Sequence, residues 1–100
     1  MRISAAGTTV IGAFDPLREI SEVCKAHGGL WLHVDGAWGG GAVLSGRHRH
    51  LLDGVDDVDS LACSLHKMLG ATLQCSVFLT RHAGSLRAAN ASNAAYLFQV

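Results

Sequence analysis

The stretch Leu30-Trp31-Leu32-His33-Val34-Asp35-Gly36-Ala37-Trp38-Gly39-Gly40-Gly41 decides the fold. A short apolar run leads into a carboxylate and then into a turn with almost no side-chain bulk, which is the pattern of a buried strand. Upstream, Leu17, Ile20, Val23 and Cys24 fall at helical spacing behind Asp15, placed to cap, and Pro16, placed in the first turn. His27-Gly28-Gly29 ends that helix. A helix feeding a buried strand predicts an α/β unit with a mostly parallel sheet and flanking helices. Such sheets gather their chemistry at the carboxyl ends of the strands, where Asp35 stands.

Downstream, Gly39-Gly40-Gly41 predicts an irregular, flexible stretch, and Ala42-Val43-Leu44 resumes apolar packing. Residues 47–54 read as a short helix or turn closed by Gly54. Ser60–Cys63 and Cys75–Leu79 read as two further buried strands. Ser85–Ala91 predicts a helix, followed by a polar hinge at Ser92-Asn93. With one proline, no repeat and no low-complexity stretch, nothing divides the 100 residues into two domains.

The composition narrows the function classes. Eight Lys and Arg balance eight Asp and Glu, which argues against a nucleic-acid partner or an anionic membrane surface. Charged residues are 16% of the chain and hydrophobic residues 49%, against roughly 25% charged in an ordinary soluble domain. Disorder is excluded on those figures, and much of the surface is expected to be covered by other protein. No apolar run reaches the length of a membrane span. The uncharged stretch from Ile3 to Phe14 is too rich in Gly and Thr for a signal peptide. Three widely spaced cysteines, Cys24, Cys63 and Cys75, point to free thiols in a reducing compartment, hence to the cytoplasm.

Two groups carry candidate chemistry. Asp35 lies between an apolar wall and a loop of small residues, where a flat ligand could lie on Ala37 while its ring nitrogen meets the carboxylate; an Asp after a strand also simply caps turns. Lys67 follows Leu61-Ala62-Cys63 and precedes Met68-Leu69, so its stem is expected in apolar surroundings. Desolvation favours the neutral amine, the form that attacks a carbonyl to make a Schiff base. Ser64 and His66, just before the lysine, offer donors suited to a phosphate. His48-Arg49-His50 lacks any zinc-type ligand spacing, so no metal site is assigned.

Taken together, these segments resemble the group II pyridoxal phosphate-dependent amino-acid decarboxylases, in the glutamate and cysteine sulfinic acid decarboxylase branch. The resemblance is carried in order by GTTVIGAFDP (7–16), LWLHVDGAWGGG (30–41), HRHLLDGV (48–55), DSLACSLHKML (59–69), LQCS (73–76) and AYLFQ (95–99). It implies the central part of the large, cofactor-binding domain of a fold-type I enzyme over residues 1–100, ending in the catalytic loop, with an N-terminal segment and a C-terminal small domain absent. It also implies decarboxylation of a small acidic amino acid, foremost cysteine sulfinate, with glutamate or aspartate as alternatives. The cofactor is then pyridoxal 5′-phosphate and the full-length enzyme a homodimer. A non-catalytic truncated paralogue that only associates with complete subunits is the alternative.

By the same resemblance Lys67 matches the lysine that carries the cofactor as an internal aldimine, and Asp35 the carboxylate paired with the pyridine nitrogen. Ala37 matches the small residue on the ring face, His66 and Ser64 the positions near the phosphate, and Thr9 with Asp15 a hydrogen-bonded pair beside the ring. Tyr96 matches the tyrosine of the mobile loop, the acid that protonates Cα. The chain departs from the branch at Ser64-Leu65 (usually Asn-Pro), Gly36 (usually Ala), Cys63 (usually Trp) and Gly28-Gly29 (one residue longer).

Overall fold

In the computed structural model, which describes residues 1–91, Leu32 and Val34 are almost completely buried at the centre of a four-stranded sheet. The sheet runs in the order β1 (Arg2–Ala5), β2 (Leu32–Gly36), β3 (Ser60–Ser64), β4 (Ser76–Thr80). β1, β2 and β3 are parallel, with Ala5, Asp35 and Ala62 in register, and β4 is antiparallel to β3. Helix α1 (Leu17–Ala26) connects β1 to β2, α2 (Leu65–Met68) is a single turn directly after β3, and α3 (Ser85–Asn90) follows β4. Three short 3-10 segments, Gly39–Leu44, Arg49–Leu52 and Val55–Asp57, carry the chain from β2 to β3.

Side chains alternate across a strand, so the parallel register sorts them into two faces. Leu32, Val34, Leu61 and Cys63 point to one side and pack with Leu17, Cys24, Leu52 and Val58 into the core. Ile3, Asp35 and Phe78 on the other side are exposed. The middle of that second face is left open by the described residues, while Ser60 and Ser64 at the two ends of its β3 row are buried.

The mostly parallel α/β reading holds, with local corrections. β1 escapes the periodicity reading because only Ser4 of its four residues is buried; its ladder to β2, not its composition, makes it a strand. β2 starts two residues later than the apolar run and includes Asp35 and Gly36. Residues 76–80 do form a strand, but not a buried one: Phe78 is 46% exposed. β4 is the sheet edge, and the seven residues between α2 and β4 give an antiparallel return rather than a crossover. Asp15 does not cap α1, whose first turn follows Pro16 without a side-chain cap. Its carboxylate instead accepts the Ala5 N–H at 2.7 Å, beside the main-chain bond from Asp15 N to Ala5 O at 2.9 Å.

The glycine triplet is the largest correction. Gly39, Gly40 and Gly41 are buried in a 3-10 turn. A Cβ on Gly39 would lie 2.6 Å from the Ala6 carbonyl oxygen and 2.6 Å from the Phe14 ring; on Gly40, 3.1 Å from Cys63 Sγ; on Gly41, 3.0 Å from Leu69. These glycines are present for close approach, not for flexibility. Ala42 and Val43 pack against the core as expected, whereas Leu44 is exposed.

Candidate functional site

The carboxyl ends of β1, β2 and β3 lie side by side, and the predicted site residues within the described part gather there. Asp35, exposed near the end of β2, accepts the Ala37 N–H through Oδ1 at 3.0 Å, a side-chain turn that fixes the carboxylate against its own strand. Ser64 ends β3, and its N–H donates to the Ala37 carbonyl at 3.3 Å. That bond ties the segment bearing Asp35 to the segment bearing Lys67. The Ser64 hydroxyl is 2.9 Å from that of Ser76 across the β3–β4 pair.

Lys67 does not sit in the apolar burial that its flanking residues suggest. α2 is a single turn at the rim of the sheet, so Lys67, Met68 and Leu69 all remain exposed. Its Nζ lies 5.3 Å from the centroid of the Trp38 ring, a cation–π contact worth about 0.5–1 kcal/mol at an exposed site. No carboxylate pairs with it among the described residues. His66, in the same turn, is held from below: its Nδ1 lies 2.9 Å from the Cys75 carbonyl oxygen and 3.0 Å from the Cys75 nitrogen.

Thr9 is exposed in the turn after β1, where it is the neighbouring Thr8 hydroxyl that accepts the Ala13 N–H at 2.9 Å. No Thr9–Asp15 hydrogen bond is formed among the described residues; the Asp15 carboxylate accepts the Ala5 N–H on the sheet edge instead. Thr9 instead lines a cleft of about 440 Å³ with Phe14, Trp38, His48, Leu51 and Leu69. Tyr96 and the Ser92-Asn93 hinge lie outside the described residues.

Burial pushes the Cys63 thiol above its usual range, which suits an inert packing residue under Gly40. At the opposite end of the sheet, Asp59 ties three elements together. Its Oδ2 accepts the Leu32 N–H at 2.7 Å and its Oδ1 meets His82 Nε2 at 2.6 Å, while its carbonyl accepts the Arg81 N–H at 3.2 Å. Burial alone would raise its pKa, but the Leu32 N–H and His82 outweigh it and hold the carboxyl below the usual range.

Comparison with known proteins decides the family. The pyridoxal-dependent decarboxylase conserved domain matches residues 2–100. This chain belongs to that family. It is 56% identical over 97 residues to the cysteine sulfinic acid decarboxylase of Rattus norvegicus, a match covering 96% of this chain and 20% of the relative. To the acidic amino acid decarboxylase GADL1 of Bos taurus it is 52% identical, over 96% of this chain and 18% of that one. The crystal structure of mouse CSAD in apo form superposes with a TM-score of 0.79 at 56% identity, over 84% of this chain and 18% of that one. Tryptophan decarboxylase of Catharanthus roseus, in complex with L-tryptophan, gives a TM-score of 0.83 at 39% identity, over 95% of this chain and 20% of that one. The chain thus spans about 20% of the length of the curated relatives it matches, and its sheet is a partial α/β domain.

The donor set fits the family's cofactor. Among the described residues, Asp35 presents a carboxylate whose Oδ2 has no partner, Lys67 an amine without an ion pair, and His66 a ring anchored on one nitrogen only, while Ala37 is too small to obstruct a flat ring. Two contributors escaped the sequence reading. Trp38 carries no polar signal, although it stands three residues after Asp35 in the decisive stretch. Cys75 acts through its main chain, which no residue-type pattern displays. No helix of the described residues is long and apolar enough to cross a membrane.

Proposed function

We propose that these residues are the cofactor-anchoring centre of a pyridoxal 5′-phosphate-dependent carboxy-lyase acting on a small acidic amino acid, cysteine sulfinate foremost and glutamate or aspartate after it. The observation that carries this reading is the placement of Asp35 and Lys67 at the carboxyl ends of adjacent parallel strands, their segments tied by Ser64 N–H to Ala37 O. The identity to cysteine sulfinic acid decarboxylase supports the substrate class.

When bound, pyridoxal phosphate supplies the electron sink for the pair left at Cα as carbon dioxide departs. Lys67 would hold it through Nζ, and Asp35 would keep a proton on the ring nitrogen, which a neighbouring carboxylate favours. Ala37 would leave the ring face free, His66 and Ser64 would donate to the phosphate, and Thr9 would contribute a hydroxyl beside the ring. Tyr96 would deliver the proton to Cα. In this reading residues 1–100 are the central part of the large domain, running into the catalytic loop, of a cytoplasmic homodimer.

The experiment is incubation with pyridoxal 5′-phosphate, reduction with borohydride, and peptide mapping. The label is expected on Lys67, lost in Lys67→Ala and weakened in Asp35→Asn. Labelled carbon dioxide release from cysteine sulfinate, glutamate and aspartate then ranks the substrates. A label on Lys25, the only other lysine, or on the N-terminal amine, unaffected by Lys67→Ala, refutes the reading. The exposure of Lys67 and the engagement of the Ser64 hydroxyl by Ser76 favour one alternative: a chain that associates with complete subunits without chemistry. It predicts no specific label alongside measurable binding to a full-length relative.

A further inference from the structure

We propose that the main-chain N–H of Cys75 is a positioning group that holds His66 in the Nε2–H tautomer, giving the site one donor of set identity next to Lys67. The use of that donor rests on the proposed cofactor site; the tautomer does not.

The two contacts of His66 Nδ1 make opposite demands. The Cys75 N–H, at 3.0 Å, needs a lone pair on Nδ1, whereas the Cys75 carbonyl, at 2.9 Å, needs a proton there. The carbonyl already accepts the Leu65 N–H at 2.8 Å. The Cys75 N–H meets no other acceptor among the described residues. A proton on Nδ1 would set two donors head to head and leave a partly buried N–H unsatisfied, which costs more than leaving one lone pair of a bonded carbonyl unused. The lone pair therefore belongs on Nδ1 and the proton on Nε2. Leu65 N–H to Cys75 O, together with the Ser64–Ser76 hydroxyl contact at 2.9 Å, pins the start of β4 to the end of β3, so the ring is held against a clamped strand pair. A donor of this kind suits an oxyanion, either the phosphate of the cofactor or free phosphate.

Long-range proton–nitrogen correlation spectra of the histidine-labelled 100-residue chain read the tautomer directly. Nδ1 is expected at the unprotonated nitrogen shift and Nε2 at the protonated one. Protonated Nδ1, or an averaged pair, overturns the proposal, whether or not Lys67 takes a label. Cys75→Ala, which keeps the N–H, is expected to leave the tautomer unchanged, and Cys75→Pro to abolish the preference. If Cys75→Pro fails to fold, amide exchange supplies the readout. His66→Asn puts an oxygen near the place of Nδ1 and is expected to keep the Cys75 amide at least tenfold slower to exchange than His66→Leu; equal exchange overturns the proposal. Titration with pyridoxal 5′-phosphate, pyridoxal and inorganic phosphate separates the oxyanion sources. A shift of Nε2–H with both phosphates supports a phosphate contact, and one with the cofactor alone a contact that needs the ring. No shift with either refutes the cofactor reading while leaving the tautomer standing.

Discussion

Replacing Gly39 with alanine separates two meanings of a glycine. Gly39 is not at a positive φ, so alanine fits its backbone conformation. If the residue served flexibility alone, the substitution would stabilise the chain by about 0.4–1 kcal/mol through the unfolded state. The packing opposes this. The new Cβ would lie 2.6 Å from the Ala6 carbonyl oxygen and 2.6 Å from Phe14 Cζ. The ring can rotate away; the carbonyl cannot, because Ala6 is fixed through its own N–H to Asp35 O at 2.8 Å. The same carbonyl accepts the Gly39 N–H at 2.9 Å, a bond that any retreat of the turn would stretch. Overpacking costs about 1–3 kcal/mol and a weakened hydrogen bond about 0.5–1.5 kcal/mol. Set against the entropic gain, the net is a destabilisation of about 2 kcal/mol, or roughly 10 °C in Tm for a domain of this size. Urea denaturation followed by tryptophan fluorescence measures it. Gly46→Ala is the control, since nothing lies within 4 Å of a Cβ there; it is expected to be neutral or slightly stabilising. A Gly39→Ala midpoint equal to or above wild type would refute the close-approach reasoning.

Other consequences follow from the same geometry. Asp59 titrates below its unfolded value, so its contribution is complete above the ordinary carboxylate range and disappears as pH falls through its lower folded value. Acid unfolding of Asp59→Asn should accordingly be less steep than that of wild type below pH ~4. Leu52→Ala, at a side chain only 1% exposed beneath the sheet, should cost about 2–5 kcal/mol in urea denaturation. Cys75 is partly exposed while Cys24 and Cys63 are buried, and burial raises the Cys63 thiol. A thiol reagent under native conditions should thus modify Cys75 first and the other two only on unfolding, as peptide mapping would show. Trp38→Leu should leave the fold intact but loosen the Lys67 side chain, read as a loss of contacts between the lysine methylenes and residue 38 in NMR.

Local pattern accounted for the elements that bury an apolar face. The spacing of Leu17 and Cys24 and the run through Leu32 and Val34 mark α1 and β2 because each buries its own side chains. β1 and β4 left weaker or misleading signals, since both lie at sheet edges and owe their form to ladders with partners remote in sequence. At the site, Asp35, Ala37, Ser64, His66 and Lys67 were legible as residue types in motifs. The environment of Lys67 was not: apolar neighbours in sequence became exposed neighbours in space once α2 proved to be one turn at the rim.

What the sequence by itself determined was the order of chemistry, an acid ending one buried strand and an amine just beyond the next. Side-chain type and spacing are properties of the chain alone. Only the tertiary structure decided that β2 and β3 are parallel neighbours, so that both groups emerge on one edge of the sheet. It also decided that Asp15 engages Ala5, that the three glycines are filled against rather than free, and that Cys75 governs His66. Each of these depends on which backbone groups lack a partner after the strands have paired, a quantity that has no value until the whole sheet is assembled.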